Sequence, residues 1–238
     1  MPHLYLVDGS AYIFRAYHRL PPLTNIRGEP VGAVYGYTTM LWKLADDLHK
    51  ADGPTHMAVV LDKSSQSFRN EIYDLYKAHR PEPPEDLRPQ FPMIRDATRA
   101  FSIPCIETEG LEADDIIACY AKHALAAGWQ VTIVSSDKDL MQLIEEPSGT
   151  SEGKMGHGGL DLLDTMNNRR IGCDYVREKF GVGPDRLGDV LALMGDSVDN
   201  VPGVPGIGAK TAAQLIQQFG DLETVLASTD AITKPKLK

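Results

Sequence analysis

Three short apolar runs in this chain end in aspartate: LYLVDG at 4–9, HMAVVLD at 56–62 and QVTIVSSD at 130–137. Runs this rich in Leu, Val and Ile suit strands buried on both faces, the habit of a parallel sheet covered by helices. Apolar residues at helical spacing predict helices over 34–49, 86–101 and 113–127 between them. Strands alternating with helices imply βαβ units. In such sheets ligands gather at the carboxyl ends of the strands, where Asp8, Asp62 and Asp137 would all stand.

Other acids fall at predicted strand ends and loop tips. GLEADDIIA carries Glu112, Asp114 and Asp115 at a helix start, SSDKDLM adds Asp139 to Asp137, and GDSVDN supplies Asp196 and Asp199. Singly, each has an ordinary reading as a helix cap or turn residue. As a set they would point negative charge at one place, and two like charges about 5 Å apart repel by roughly 3 kcal/mol at an effective dielectric near 20. Divalent cations would relieve that repulsion. The set contains no Cys or His, so all-oxygen ligation by Mg²⁺ or Mn²⁺ fits better than zinc. Nine acids exceed the needs of one ion, and two ions about 4 Å apart would suit in-line phosphoryl displacement.

The formal charge of −9 alone argues against a nucleic-acid partner. Taking the nine proposed site acids out of 33 leaves 24 acids against 24 Lys and Arg, so the rest of the molecule is neutral and DNA is not excluded. No apolar run approaches the roughly 20 residues of a membrane span. MPHLYLVDGS has no basic segment before its apolar stretch, so no secretory signal is read there. Cys105, Cys119 and Cys173 show no metal-ligand spacing and are expected to be buried thiols in a reducing cytoplasm.

Residues 68–92 begin as a helix and then carry five prolines, predicting a helix, a stiff loop and a second helix that stand off the sheet. In this excursion Lys63, Arg69, Lys77 and Arg80 interleave with Phe68, Tyr73 and Tyr76, a mix that suits phosphate pairing and base stacking, or equally a solvated amphipathic helix. Arg15, close after Asp8, could reach a phosphate or make a surface ion pair. PSGTSEGKMGHGG at 147–159 reads as a mobile surface loop, with His157 as loop decoration rather than a metal ligand. Beyond residue 170 helices are expected at 173–180, 185–194, 208–219 and 221–227. GVPGIGAKTAAQLI places Gly206, Gly208 and Lys210 at a turn between two of them, a helix-hairpin-helix pattern whose bare backbone can approach a phosphate.

Taken in order, VDGSAYIFRAYH, LTNIRGEPVGAVYG, SFRNEIYDLYKAHRP, GLEADDIIA, SSDKDLMQL and LALMGDSVDNVPGVPGIGAKTAAQLI resemble the 5′ nuclease domains of bacterial DNA polymerase I, within the wider flap endonuclease family. The resemblance implies a PIN-like α/β fold with a parallel sheet, a helical arch near 68–100 within a core of residues 1–165, and a helical region over 166–238 with the hairpin. It implies hydrolysis of phosphodiesters at 5′ ends and 5′ flaps of DNA, in primer removal and repair, with two Mg²⁺ ions for which Mn²⁺ can substitute.

Residue by residue, the resemblance assigns Asp8, Asp62, Glu112 and Asp114 to one ion and Asp137, Asp139 and Asp199 to the other, with Asp115 and Asp196 acting directly or through water. It places Lys77 and Arg69 on the scissile phosphate, Tyr76 on the terminal base, and the Gly206–Gly208 hairpin on the duplex, with K⁺ at its carbonyls as an option. It also implies a cytoplasmic monomer joined covalently to a polymerase domain, and a nuclease domain continuing beyond TKPKLK. The competing readings are a non-catalytic DNA-structure binder with a structural ion and a Mg²⁺-dependent phosphatase, which would leave arch and hairpin unexplained.

Overall fold

The computed structural model describes residues 1–149 and 156–232. Its centre is a six-stranded sheet in the order β3-β2-β1-β4-β5-β6. The strands are β1 (His3–Asp8), β2 (His56–Val60), β3 (Cys105–Ile106), β4 (Gln130–Val134), β5 (Leu160–Asp164) and β6 (Arg169–Ile171). The first five run parallel; β6 turns back antiparallel on β5, a departure from the all-parallel expectation.

Alternation along each strand explains the unbroken apolar runs. Leu4, Leu6, Ala58, Val60, Val131 and Ile133 point into one core, against α5 (Ala113–Ala126). Tyr5, Val7, Met57, Val59 and Val134 point into the other, against α1 (Gly9–Arg19), α2 (Gly32–Asp47) and α4 (Gln90–Ala100). Each fully buried side chain of this size contributes about 1.5–3 kcal/mol. Both faces are covered, so strand interiors are apolar except where a polar side chain is hydrogen-bonded, as Thr132 of β4 is to His3, Asp161 and Arg170.

The helical lobe, α6 (Cys173–Phe180), α7 (Pro184–Met194), α8 (Ala209–Phe219) and α9 (Leu222–Ala227), shares the first of these cores through Val176, Leu187, Val190, Ala212 and Ile216. Pro184 begins α7 where its missing N–H costs nothing, and Gly181 closes α6 at φ +77°.

Two regions differ from expectation. The excursion does not stand off the sheet: α3 is only Phe68–Ile72, and Tyr76 and Leu87 beyond it are buried. Its backbone docks on the loop after α7, where the Lys77 N–H donates to the Asp199 carbonyl at 2.9 Å and the Asn200 amide to the Leu75 carbonyl at 2.7 Å. The thiols are not all buried either: Cys173 is, Cys105 is half-buried and Cys119 is exposed, because Cys119 lies on the solvent side of α5. Of the loop expected at 147–159, residues 150–155 lie outside the described residues, as does TKPKLK at 233–238. His157 pairs its backbone with Ser148, and its Nε2 is 3.6 Å from Glu145. No described helix is long and apolar enough to cross a membrane.

Candidate metal centre

Strand register brings the first acids together. Asp8 lies opposite Val60 across β1–β2, and Val7 opposite Val134 across β1–β4, so the three carboxyl ends are level. The chain order reverses between β1 and β4, the switch point at which such sheets leave a crevice. Asp62 follows β2 by two residues and Asp137 follows β4 by three, placing both in the turns that rim it.

Local hydrogen bonds then fix each carboxylate. Asp8 caps α1, accepting from Ala11 N–H at 3.1 Å and from the Ser135 hydroxyl at 2.9 Å. Gly9 is needed beside it, since a Cβ there would stand 2.5 Å from a Leu61 methyl and 2.6 Å from a Val59 methyl. Asp62 accepts from Ala113 N–H at 2.8 Å and so caps α5 from another strand. Asp115 accepts from Glu112 N–H at 3.1 Å, the reciprocal half of a capping box. Asp137 accepts from Asp139 N–H at 2.9 Å.

Asp114 has no such task. Among the described residues it makes no hydrogen bond and no ion pair, and burial together with Asp8, Asp137 and Asp62 pushes its carboxyl up to about 8. Burial likewise raises Asp8 to about 6, with Asp137 and Asp62 adding to it against the two hydrogen bonds it accepts. None of Asp8, Asp62, Asp114 and Asp137 has an ion-pair partner among the described residues.

The remaining acids have cations within 4 Å, although burial and Asp137 still raise the Asp139 carboxyl against Lys138. Oxygens of Asp139, Asp196 and Asp199 lie within 4.8 Å of one another. Lys138 contacts Asp196 and lies 3.5 Å from Asp139, while Arg80 contacts Asp199, whose other oxygen is 3.7 Å from Lys77 Nζ. Lys77 donates to Glu112 at 2.8 Å and Arg69 grips Asp115 with two bonds of 2.8 Å. Burial would raise Glu112, but the bond and charge of Lys77 and the Ser67 hydroxyl hold it below the usual range. The Arg69 bonds lower Asp115 outright.

Several expected roles change in this light. Asp196 joins Asp139 and Asp199, while Asp137 lies between the groups, accepting from Asp139 N–H and raising Asp139 as well as Asp8 and Asp114. Tyr76 is not presented for base stacking: it is 8 % exposed, and its hydroxyl lies 3.0 Å from Glu112 and 3.2 Å from Asp199. Lys63 pairs with Glu107 at 2.7 Å, and Arg15 donates to Thr165 at 3.2 Å. Gly206 (φ +84°) and Gly208 are exposed, a Cβ at either would meet nothing within 4 Å, and Lys210 is exposed just inside α8. Reasoning from sequence overlooked Ser10, whose hydroxyl accepts from Asp62 N–H at 3.1 Å, and also Ser67, Ser135 and Lys138. Their signal was adjacency: Ser10 in VDGS and Ser135 and Lys138 in SSDKD lie within two residues of a site acid.

The chemistry of this donor set fits hard divalent ions. Four oxygen-only side chains face one crevice with no ion pair among the described residues, and burial together with three neighbouring carboxylates raises Asp114 against the charge of Lys77.

The fold and this carboxylate group define a class: an α/β protein with an acidic centre at the strand-order switch and a helical lobe beside it. Known proteins narrow the class. Residues 3–181 match the family model of the 5′-3′ exonuclease N-terminal resolvase-like domain, and residues 182–238 that of the 5′-3′ exonuclease C-terminal SAM fold. The chain belongs to the 5′-3′ exonuclease family. It is 54 % identical to DNA polymerase I of Rhizobium leguminosarum over 98 % of this chain and 22 % of that protein. It is 38 % identical to a 5′-3′ exonuclease of Aquifex aeolicus over 95 % of this chain and 73 % of that one. The chain thus spans about a quarter or less of the first DNA polymerase I relatives it matches. Among solved structures, T5 5′-exonuclease with bound divalent zinc superposes with a TM-score of 0.74 at 25 % identity, covering 99 % of this chain and 82 % of that one. The catalytic core of Rad2 in complex with DNA shares the fold at a TM-score of 0.59 and 15 % identity, over 99 % and 67 % of the two chains.

Proposed function

We propose that this chain is a Mg²⁺-dependent 5′ nuclease that hydrolyses DNA phosphodiesters at 5′ ends and 5′ flaps, in primer removal and repair. The observation that carries the reading is the group Asp8, Asp62, Asp114 and Asp137, from buried Asp8 to exposed Asp137 and without an ion-pair partner among the described residues, at the switch point of a sheet of this family. These four would hold one ion, with Glu112 and Asp115 beside it; Asp139, Asp196 and Asp199 would hold a second. An ion held there, Mg²⁺ or Mn²⁺, would supply a more acidic water and charge stabilisation for the phosphoryl and leaving oxygens.

The chain's own residues supply placement. Lys77 and Arg69 would exchange Glu112 and Asp115 for the scissile phosphate, and Arg80 would exchange Asp199 for the neighbouring backbone. Gly206, Gly208 and Lys210 would hold duplex phosphates sequence-independently, with K⁺ at the turn's carbonyls. We further propose residues 1–165 as the nuclease core, residues 166–238 as the duplex-binding lobe, and a covalently linked polymerase domain in the full-length protein.

A labelled 5′-flap duplex incubated with Mg²⁺, with Mn²⁺ and with EDTA tests the reading. Cleavage is expected with either ion and none with EDTA. Binding without cleavage in both metals would leave a DNA-structure binder instead.

A further inference from the structure

The outer acids are not waiting empty-handed. Lys138 stands between two site acids in sequence, and its ammonium lies between two in space, contacting Asp196 and 3.5 Å from Asp139. Lys77 and Arg80 also touch the outer group, but from the separate segment after α3, which reaches it across the loop after α7. Lys138 is instead anchored at its backbone inside the site. The turn that carries it is tied by Asp137 N–H to the Ser135 hydroxyl at 3.1 Å and by Asp139 N–H to Asp137 at 2.9 Å. The short 3₁₀ helix that follows, Asp139–Leu143, buries Leu140 and Met141 in the core.

We propose that Lys138 is a built-in competitor for the outer divalent ion, its ammonium occupying the space between Asp139 and Asp196 and thereby setting that position's affinity. A cation shared by the two carboxylates screens their repulsion when no ion is present, and must swing away or be repelled when a dication enters. Lys138 is therefore a positioning residue with opposite effects on the two states: it stabilises the ion-free protein and weakens the outer ion. The proposal rests on the two-ion reading above.

Mn²⁺ titration of the whole chain by calorimetry, with parallel thermal melts, tests it on wild type, Lys138→Met, Lys138→Gln and Lys138→Arg. Two binding events are expected in wild type. Removing the ammonium should tighten the weaker event by about tenfold or more and leave the tighter one unchanged. The ion-free melting temperature should fall while the Mn²⁺-induced rise grows, and Lys138→Arg should behave as wild type. A merely structural lysine would lower both melting temperatures together and leave both affinities alone, and that result overturns the proposal. The Gln variant carries the test should Met at this site fail to fold. Two events in wild type with an unchanged or looser weak site in both neutral variants sink this inference alone. A wild-type chain that binds no Mn²⁺ sinks the two-ion reading with it.

Discussion

The inner acids, Asp8, Asp62, Asp114 and Asp137, and the outer acids, Asp139, Asp196 and Asp199, are held in opposite ways. Three of the inner four sit at or within three residues of strand ends whose register is fixed by buried apolar faces, and none of the four has a cation in contact among the described residues. Asp139 opens a short 3₁₀ helix, Asp196 and Asp199 sit in the loop after α7, and Lys138, Lys77 and Arg80 reach them all. The sheet can impose an electrostatic cost on the first group because the core sustains its geometry. Loops have less such reserve, and cations balance most of their charge locally, Asp139 keeping a raised carboxyl through burial and Asp137. The inner group is a rigid, strained acceptor of positive charge and the outer group an exchangeable one.

The largest effect should separate the groups directly. Asp114→Asn should lower flap cleavage by at least ~10³-fold, while Asp196→Asn, which leaves Asp139 and Asp199 to hold the outer ion, should cost ~10–100-fold. Flap affinity in EDTA should stay near wild type for both. Equal losses in single-turnover cleavage would erase the distinction between the groups.

Metal removal comes next. Mg²⁺ binds the folded acids and not the unfolded chain, so at a hundred times its Kd it should add ~2.7 kcal/mol per ion, several degrees in Tm. The gain should shrink in Asp114→Asn, which has already lost part of the repulsion. An unshifted melt at millimolar Mg²⁺ would mean that the inner acids hold no ion.

Gly203→Ala probes the outer group alone. A Cβ there would stand 2.3 Å from the Met194 carbonyl carbon and 2.5 Å from Gly195 N, both backbone atoms. The loop carrying Asp196 and Asp199 must shift, at ~1–3 kcal/mol. Calorimetry should show one ion-binding event lost and the other kept; loss of both would show that the groups are one unit.

The inner group was legible in sequence because a strand ending in aspartate is a local pattern: β1, β2 and β4 read out within a residue or two of their observed starts, and their acids followed. Asp114 was legible only as an excess, the third acid at a helix start that needs fewer. What stayed hidden was non-local. β3 is two residues long, and β5 and β6 lie beyond a Gly-rich segment, so their pairing partners rather than their own composition define them. α1 was masked because its start is also the turn that carries Asp8. The docking of the excursion could not be read because its cause is the loop at 196–200, over a hundred residues away. Tyr76 looked like a stacking platform for the same reason.

A pH test is smaller and cleaner as a difference. The folded Asp114 carboxyl is raised to about 8 from an ordinary 3.8, so between these values the folded chain holds a proton the unfolded chain has lost. Ion-free stability should therefore fall as pH rises from about 4 to 8, by less than ~1.4 kcal/mol per unit. Burial and Arg170 lower His3, which works the other way by favouring folding as pH rises through 6.5. Comparing wild type with Asp114→Asn cancels that contribution, since both carry His3. The stability difference in favour of the Asn variant should widen with pH in EDTA and close in saturating Mg²⁺. A difference that stays flat from pH 5 to 8 would show that the inner acids do not repel one another as described.

The smallest effect belongs to the glycine turn at the start of α8, beyond the loop that carries Asp196 and Asp199. Lys210 is exposed beside an open glycine turn at the start of α8, where backbone N–H groups and a point charge can share one phosphate. Lys210→Ala removes one phosphate contact, so the slope of log affinity against log salt for flap DNA should become shallower by ~0.9. Measured in EDTA, that change should be the same in wild type and in Asp114→Asn, because the turn reaches the backbone and not the acids. A slope that depended on the Asp114 substitution would tie the lobe to the inner group, and the separation of binding from cleavage would fail at that point.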